Sequence, residues 1–155
     1  MPNGKVNSAK KREQTVPIST KWYDEKKQVI FQKYEGAWTW EELDRESVLK
    51  FTIAQSVLSN VVLFSDMSQA NLLPRGNLLS NGLSIFTHLP NNITEIIVVV
   101  QSPTIKRLTK ITIEMVPYWR KRVHFADTFA EGQLLVAKAV QTNIETTNRQ
   151  KMHIS

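Results

Sequence analysis

The sequence predicts an α/β fold with a single, mostly parallel sheet of about five strands, an N-terminal antiparallel hairpin and about four helices. Two runs carry most of this prediction. Residues 61–64 (VVLF) and 96–100 (IIVVV) are apolar without polar alternation, the pattern of strands covered on both faces. Around them lie amphipathic stretches opened by helix-cap residues. An order of strand, strand, helix, then three strand–helix units makes right-handed crossovers onto one sheet the simplest topology.

Residues 21–24 and 28–34 read as extended pieces around the polar break Asp24-Glu25-Lys26-Lys27, hence a hairpin at or near a sheet edge. Within the second piece Val29 and Phe31 face one side, Ile30 and Gln32 the other. Glu35-Gly36 turns the chain, and Thr39 with Glu42 has capping-box spacing, so a helix starts at Trp40 and runs to about Leu58. Its expected inward stripe is Trp40, Leu43, Ser47, Phe51, Ala54 and Leu58. Glu41, Glu42, Asp44 and Glu46 in its first turns suit the positive end of the helix dipole, which explains them without catalysis. The strand at 61–64 leads into a loop at 65–74 and a helix at about 75–87, with Leu79, Leu83 and Phe86 inward, broken by Pro90-Asn91-Asn92. After the strand at 96–100, Ser102-Pro103 opens a helix in the favoured order of cap then proline, carrying Ile105, Leu108, Thr112 and Met115 inward. Residues 123–125 make a last short strand, and Thr128 with Glu131 caps a final helix to about Gln141.

With 155 residues and no cysteine, the chain reads as one domain at 21–141, between a flexible basic arm at 1–20 and a flexible tail at 142–155. Disulfides, thiolate metal sites and cysteine nucleophiles are excluded. No run has the length of a signal-peptide core or a membrane span, so a cytoplasmic location is expected. The net charge of +6 does not mark the fold itself as basic, because residues 22–137 hold 12 basic and 12 acidic side chains. The excess lies in the ends, where solvated tails are weighed ahead of an arm for nucleic acid or anionic membrane.

The run YEGAWTWEELDRE, then VVLFSDMS, LLPRGNL, EIIVVV and HFADTFAEGQLLVAKA, in that order over roughly residues 20–140, resembles the STAS-like group, including small bacterial proteins with a STAS or Sec14-like fold. The resemblance implies a non-enzymatic binding or regulatory domain related to the anti-sigma-factor antagonists and to the cytoplasmic domains of sulfate transporters. Antagonists carry a phosphorylated serine at the start of the helix after the second core strand. Here that position reads Pro74-Arg75-Gly76-Asn77, without a hydroxyl, and Ser65, Ser68 and Ser80 lie nearby.

The candidate binding rim is Asp66, Ser68, Arg75, Gly76 and Asn77, at the carboxyl end of a buried strand where open α/β sheets place ligands. Asp66 and Ser68 suit hydrogen bonding to a partner or phosphate-bearing ligand, with Ser68 the candidate phosphoacceptor; both equally suit bonds to loop N–H groups. Arg75 at a helix start suits incidental contact with an anion, but no nucleotide-binding glycine pattern accompanies it. His88, His124 and His153 have no metal-ligand spacing, so neither a metal nor a cofactor is expected. Trp22, Trp38 and Trp40 read as packing residues. Trp119, among Tyr118, Arg120, Lys121 and Arg122, reads as part of a solvated basic edge ahead of a membrane- or acid-recognising patch. Three functions follow: a module docking on another protein, with a homodimer among its forms; a carrier or sensor of a lipid or small apolar ligand; and, last, an enzyme using Asp66 or His124 as acid–base groups.

Overall fold

The computed structural model describes residues 16–70 and 73–154; the basic residues of the N-terminal arm before position 16, and residues 71 and 72 of the expected loop, lie outside them. Five strands form one sheet in sequence order: β1 (Ile18–Trp22), β2 (Val29–Gly36), β3 (Val61–Ala70), β4 (Ile93–Val99) and β5 (Val123–Ala126). The first pair is antiparallel and the other three are parallel. Four helices complete the fold: α1 (Trp40–Gln55), α2 (Leu78–Thr87), α3 (Pro103–Glu114) and α4 (Phe129–Met152), with a short 3-10 turn at Pro117–Trp119.

Each parallel crossover advances one strand in the same direction. Right-handed crossovers then place α1, α2 and α3 on one face, and α4, which follows the last strand, covers the other. Alternation along β3 divides its side chains accordingly: Val61 and Leu63 join the core beneath the first three helices, Val62 and Phe64 the core beneath α4. Ile30 and Gln32 do face the side opposite Val29 and Phe31.

Helix starts follow their cap chemistry. Thr39 Oγ1 accepts from Glu42 N at 3.2 Å while Glu42 returns a carboxylate oxygen to Thr39 N at 2.8 Å. Ser102 and Thr128 accept from Ile105 N and Glu131 N, and the Glu131 carboxylate reaches back to Asp127 N rather than to the cap residue. The α1 end differs from expectation. Asn92 Nδ2 donates to Ala54 O at 2.7 Å and to Ser59 O at 3.2 Å, satisfying carbonyls at the helix end, so α1 stops at Gln55 and Leu58 is left fully exposed.

Three further differences have local causes. The hairpin begins at Ile18, inside the span assigned to the basic arm, because Glu35 N bonds Pro17 O and Ile18 pairs with Tyr34. Residues 65–70 extend β3 instead of forming a loop, since Glu35 and Gly36 of β2 pair with Gln69 and Ala70. The last helix continues eleven residues past Gln141, to Met152. Adding residues to a formed helix costs little, Thr94 Oγ1 ties the extension to Asn143 at 2.9 Å, and Arg149 and Lys151 suit its negative end.

Candidate functional site

The expected rim is split by the sheet. Asp66 and Ser68 follow the alternation of Val62 and Phe64 and line a polar depression of about 560 Å³ beside Lys33, Glu35 and Phe129. Asp66 is buried, and its Oδ1 accepts from Ser68 N at 3.0 Å and Ser68 Oγ at 2.6 Å. Both bonds stay within the pair and fall on the same carboxylate oxygen. Arg75, Gly76 and Asn77 sit instead at the start of α2, on the face carrying α1 to α3. Asn77 is its cap, accepting from Ser80 N at 3.2 Å, and a side chain at Gly76 would touch the Trp40 indole. The strand order never reverses, so the crevice that a reversal opens at the carboxyl ends of strands is not formed.

Under α2 lies a different site. The face shared by α1, α2 and α3 encloses a cavity of about 120 Å³, floored by β2, β3 and β4. Its walls are mostly apolar, with Leu43 from α1, Leu78, Ile85 and Phe86 from α2, and Ile105 and Leu108 from α3. Helix α2 has no fully buried residue, and it is held at two points. Its Phe86 carbonyl accepts from Trp119 Nε1 at 2.9 Å, and Gly82 approaches α3 so closely that a Cβ there would stand 3.0 Å from Thr112.

Several polar groups line this cavity, and most are already engaged. Tyr34 donates to Gln32 Oε1 at 3.0 Å, and Gln32 Nε2 donates to Thr20 Oγ1 at 3.1 Å. The hydroxyls of Thr109 and Thr112 donate to carbonyls of their own helix. Burial, with the Glu46 carboxylate nearby, holds the Tyr34 hydroxyl in its neutral form well past the usual phenol range.

Lys50 is not engaged. It is only 3 % exposed, it lines the cavity, and no hydrogen bond or ion pair engages its amine among the described residues. Burial alone pushes its pKa down to about 8. Trp38 and Trp40 also line the cavity, and neither indole N–H has an acceptor. Lys50, Ile85 and Leu89 border both the cavity and an outer cleft of about 270 Å³ between α1 and α2, where Asp44, Ser47, Ser84 and His88 lie. This lysine thus stands between the interior and the surface.

Sequence reading assigned Phe51 and not Lys50 to the inward stripe. At about 100° per residue, Lys50 and Ala54 each stand about 20° from Leu43 around the helix, whereas Phe51 is about 80° away. Phe51 is accordingly 43 % exposed. The angular count was available; the residue type argued against it.

The remaining candidates have structural partners. His88 Nδ1 donates to Ser84 O at 2.8 Å, and His124 Nε2 lies 3.1 Å from a Glu95 carboxylate oxygen across neighbouring strands. Trp119 is buried, while Tyr118 is exposed with the Arg122 guanidinium 4.3 Å from its ring centre. Trp38 packs edge-on against Tyr34 and Trp40, at interplanar angles of 66° and 83°. Among the described residues, no group of three His, Cys, Asp or Glu side chains could hold a metal ion, and no helix is long and apolar enough to cross a membrane. The chain matches no family model, no curated protein and no solved structure.

Proposed function

We propose that this chain is a non-enzymatic binding module, STAS-like in arrangement, that takes a small and mostly apolar ligand into the cavity beneath α2. The observation that carries the reading is the cavity itself, bounded by the sheet and three helices and lined by unengaged polar groups in an otherwise apolar wall. Ligand pockets commonly combine apolar walls with a few placed polar groups.

Size sets the ligand class. A lipid carrier would call for several hundred Å³, and this cavity holds about 120 Å³. An apolar cavity of roughly 150 Å³ admits benzene. The reading is therefore of a ligand with a body near that of a single ring or a short branched chain, not of a long acyl chain.

A binding test uses toluene as the probe, following thermal unfolding and the methyl resonances of Ile85, Ile96 and Ile105, all on the cavity wall. Stabilisation that rises with toluene concentration, with shifts concentrated on those methyls, supports the reading. Unchanged unfolding and unchanged methyls would remove it.

Docking on another protein through Arg75, Gly76 and Asn77 is the second reading, favoured by the exposure of these residues and of Leu79 on the helix that roofs the cavity. On this reading a ligand beneath α2 alters the surface offered to the partner. Capture from a bacterial lysate with wild type and Arg75→Glu tests it; identical partner sets would count against that rim.

A further inference from the structure

We propose that the cavity selects a ligand bearing one carboxylate, received by Lys50 at the wall facing the outer cleft while the apolar body lies beneath α2. This inference rests on the cavity being a ligand site and adds the chemistry of the ligand's head group.

The argument is one of complementarity. The cavity-lining groups that make no hydrogen bond at all among the described residues include the Lys50 amine, the indole N–H groups of Trp38 and Trp40, and the Ser65 hydroxyl. Two of these only donate, an ammonium only donates, and a hydroxyl can do so. Of the acceptors lining the same space, Gln32 Oε1 is occupied by the Tyr34 hydroxyl, and the Tyr34, Thr109 and Thr112 hydroxyls donate their protons to other acceptors. A neutral apolar ligand would leave every one of these donors unmet at a cost. A cation would meet another cation. A carboxylate supplies two acceptor oxygens and the opposite charge, and bonds of this kind are the stronger class.

Lys50 has an alternative partner close by. Glu46 stands one turn earlier on α1, and one of its oxygens, Oε2, is buried without a donor, yet the two side chains form no ion pair. Asp44 and His88 face Lys50 from the outer cleft, on α1 and at the end of α2, without bonding it. Among the described residues nothing pairs with the amine, which leaves that role to a ligand.

Three ring probes separate the claims: toluene for the cavity, benzamide for a neutral polar head, and benzoate for a carboxylate, with affinities measured by calorimetry on wild type, Lys50→Met and Glu46→Gln. Wild type is expected to bind benzoate at least about tenfold more tightly than benzamide, as a charged hydrogen bond allows. Lys50→Met should abolish that preference. Equal affinity for benzoate and benzamide in wild type, or a preference surviving in Lys50→Met, would overturn the inference while toluene binding keeps the cavity reading intact. A benzoate preference found only in Glu46→Gln would also overturn it, because Lys50 would then belong to Glu46. Absence of toluene binding removes the cavity reading and this inference with it.

Discussion

On one face of the sheet α4 lies so close that a Cβ at Gly132 would stand 2.6 Å from Val99 and 2.9 Å from the Phe64 ring; on the other, three helices leave a cavity of about 120 Å³ and enclose a lysine that has no partner among the described residues. The α4 face is built mainly from the apolar Val29, Phe31, Val62, Phe64, Ile97 and Val99, with the buried Asp66 further along β3. Its opposite carries Gln32, Lys50, Ser65 and Thr112 among its buried side chains. Both faces arise from the same strands through side-chain alternation. The difference is local: where α4 meets Val99 and Phe64 the face is packed to the limit of contact, while beneath α1 to α3 the other face accepts unfilled volume and an unfavourable charge.

Lys50→Met should produce the largest change, because it removes a buried charge while filling similar space. Stability at pH 7 is expected to rise by about 3 kcal/mol, the equivalent of a pKa lowered from 10.5 to about 8. Chemical denaturation would check this, and a loss of stability would mean that the amine has a partner in solution. Gly132→Ala tests the other face. The added methyl has nowhere to go between Val99 and Phe64, so a loss of about 2 kcal/mol is expected despite the better helix propensity of alanine. A neutral result would mean that α4 does not press on Val99 and Phe64 at Gly132.

Asp66→Ala should cost about 1–2 kcal/mol, since it leaves Ser68 N without its acceptor at a half-buried strand end. Unchanged stability, together with altered partner capture, would return this pair to a binding role. The smallest effect is expected for Gly82→Ala. Its methyl would meet the Thr112 side chain at 3.0 Å, but α2 has no fully buried residue and can yield. Helix propensity then offsets the contact, leaving the change within about 1 kcal/mol of zero. A loss as large as that of Gly132→Ala would erase the contrast between the faces.

The sheet, its parallel order and the capped helix starts were legible in the sequence because each depends on local signals: apolar runs, Thr39 with Glu42, Ser102 before Pro103. The extension of β3 to Ala70 was not, because SDMSQA is polar and becomes strand only through pairing with Glu35 and Gly36. Residues past Gln141 lack an apolar stripe, and their helicity depends on a contact from Thr94, distant in sequence. The site was the least legible. Asp66 and Ser68 announced themselves by type and position, yet they bond each other; Lys50 was hidden because a lysine is ordinarily assigned to solvent, and only the helix angle set by Leu43 and Ala54 places it inside. The cavity is assembled from α1, α2, α3 and the sheet, so no local pattern encodes it.

The most direct test of the account follows the stability difference between Lys50→Met and wild type from pH 7 to pH 10.5. A folded-state pKa below the unfolded one means that the unfolded chain binds more protons across this window, so wild type gains stability as pH rises from about 8 toward 10.5. The account expects a gap of about 3 kcal/mol near neutral pH that closes steadily through that window. A gap that stays constant with pH, or widens, would contradict a buried amine without a partner in the protein.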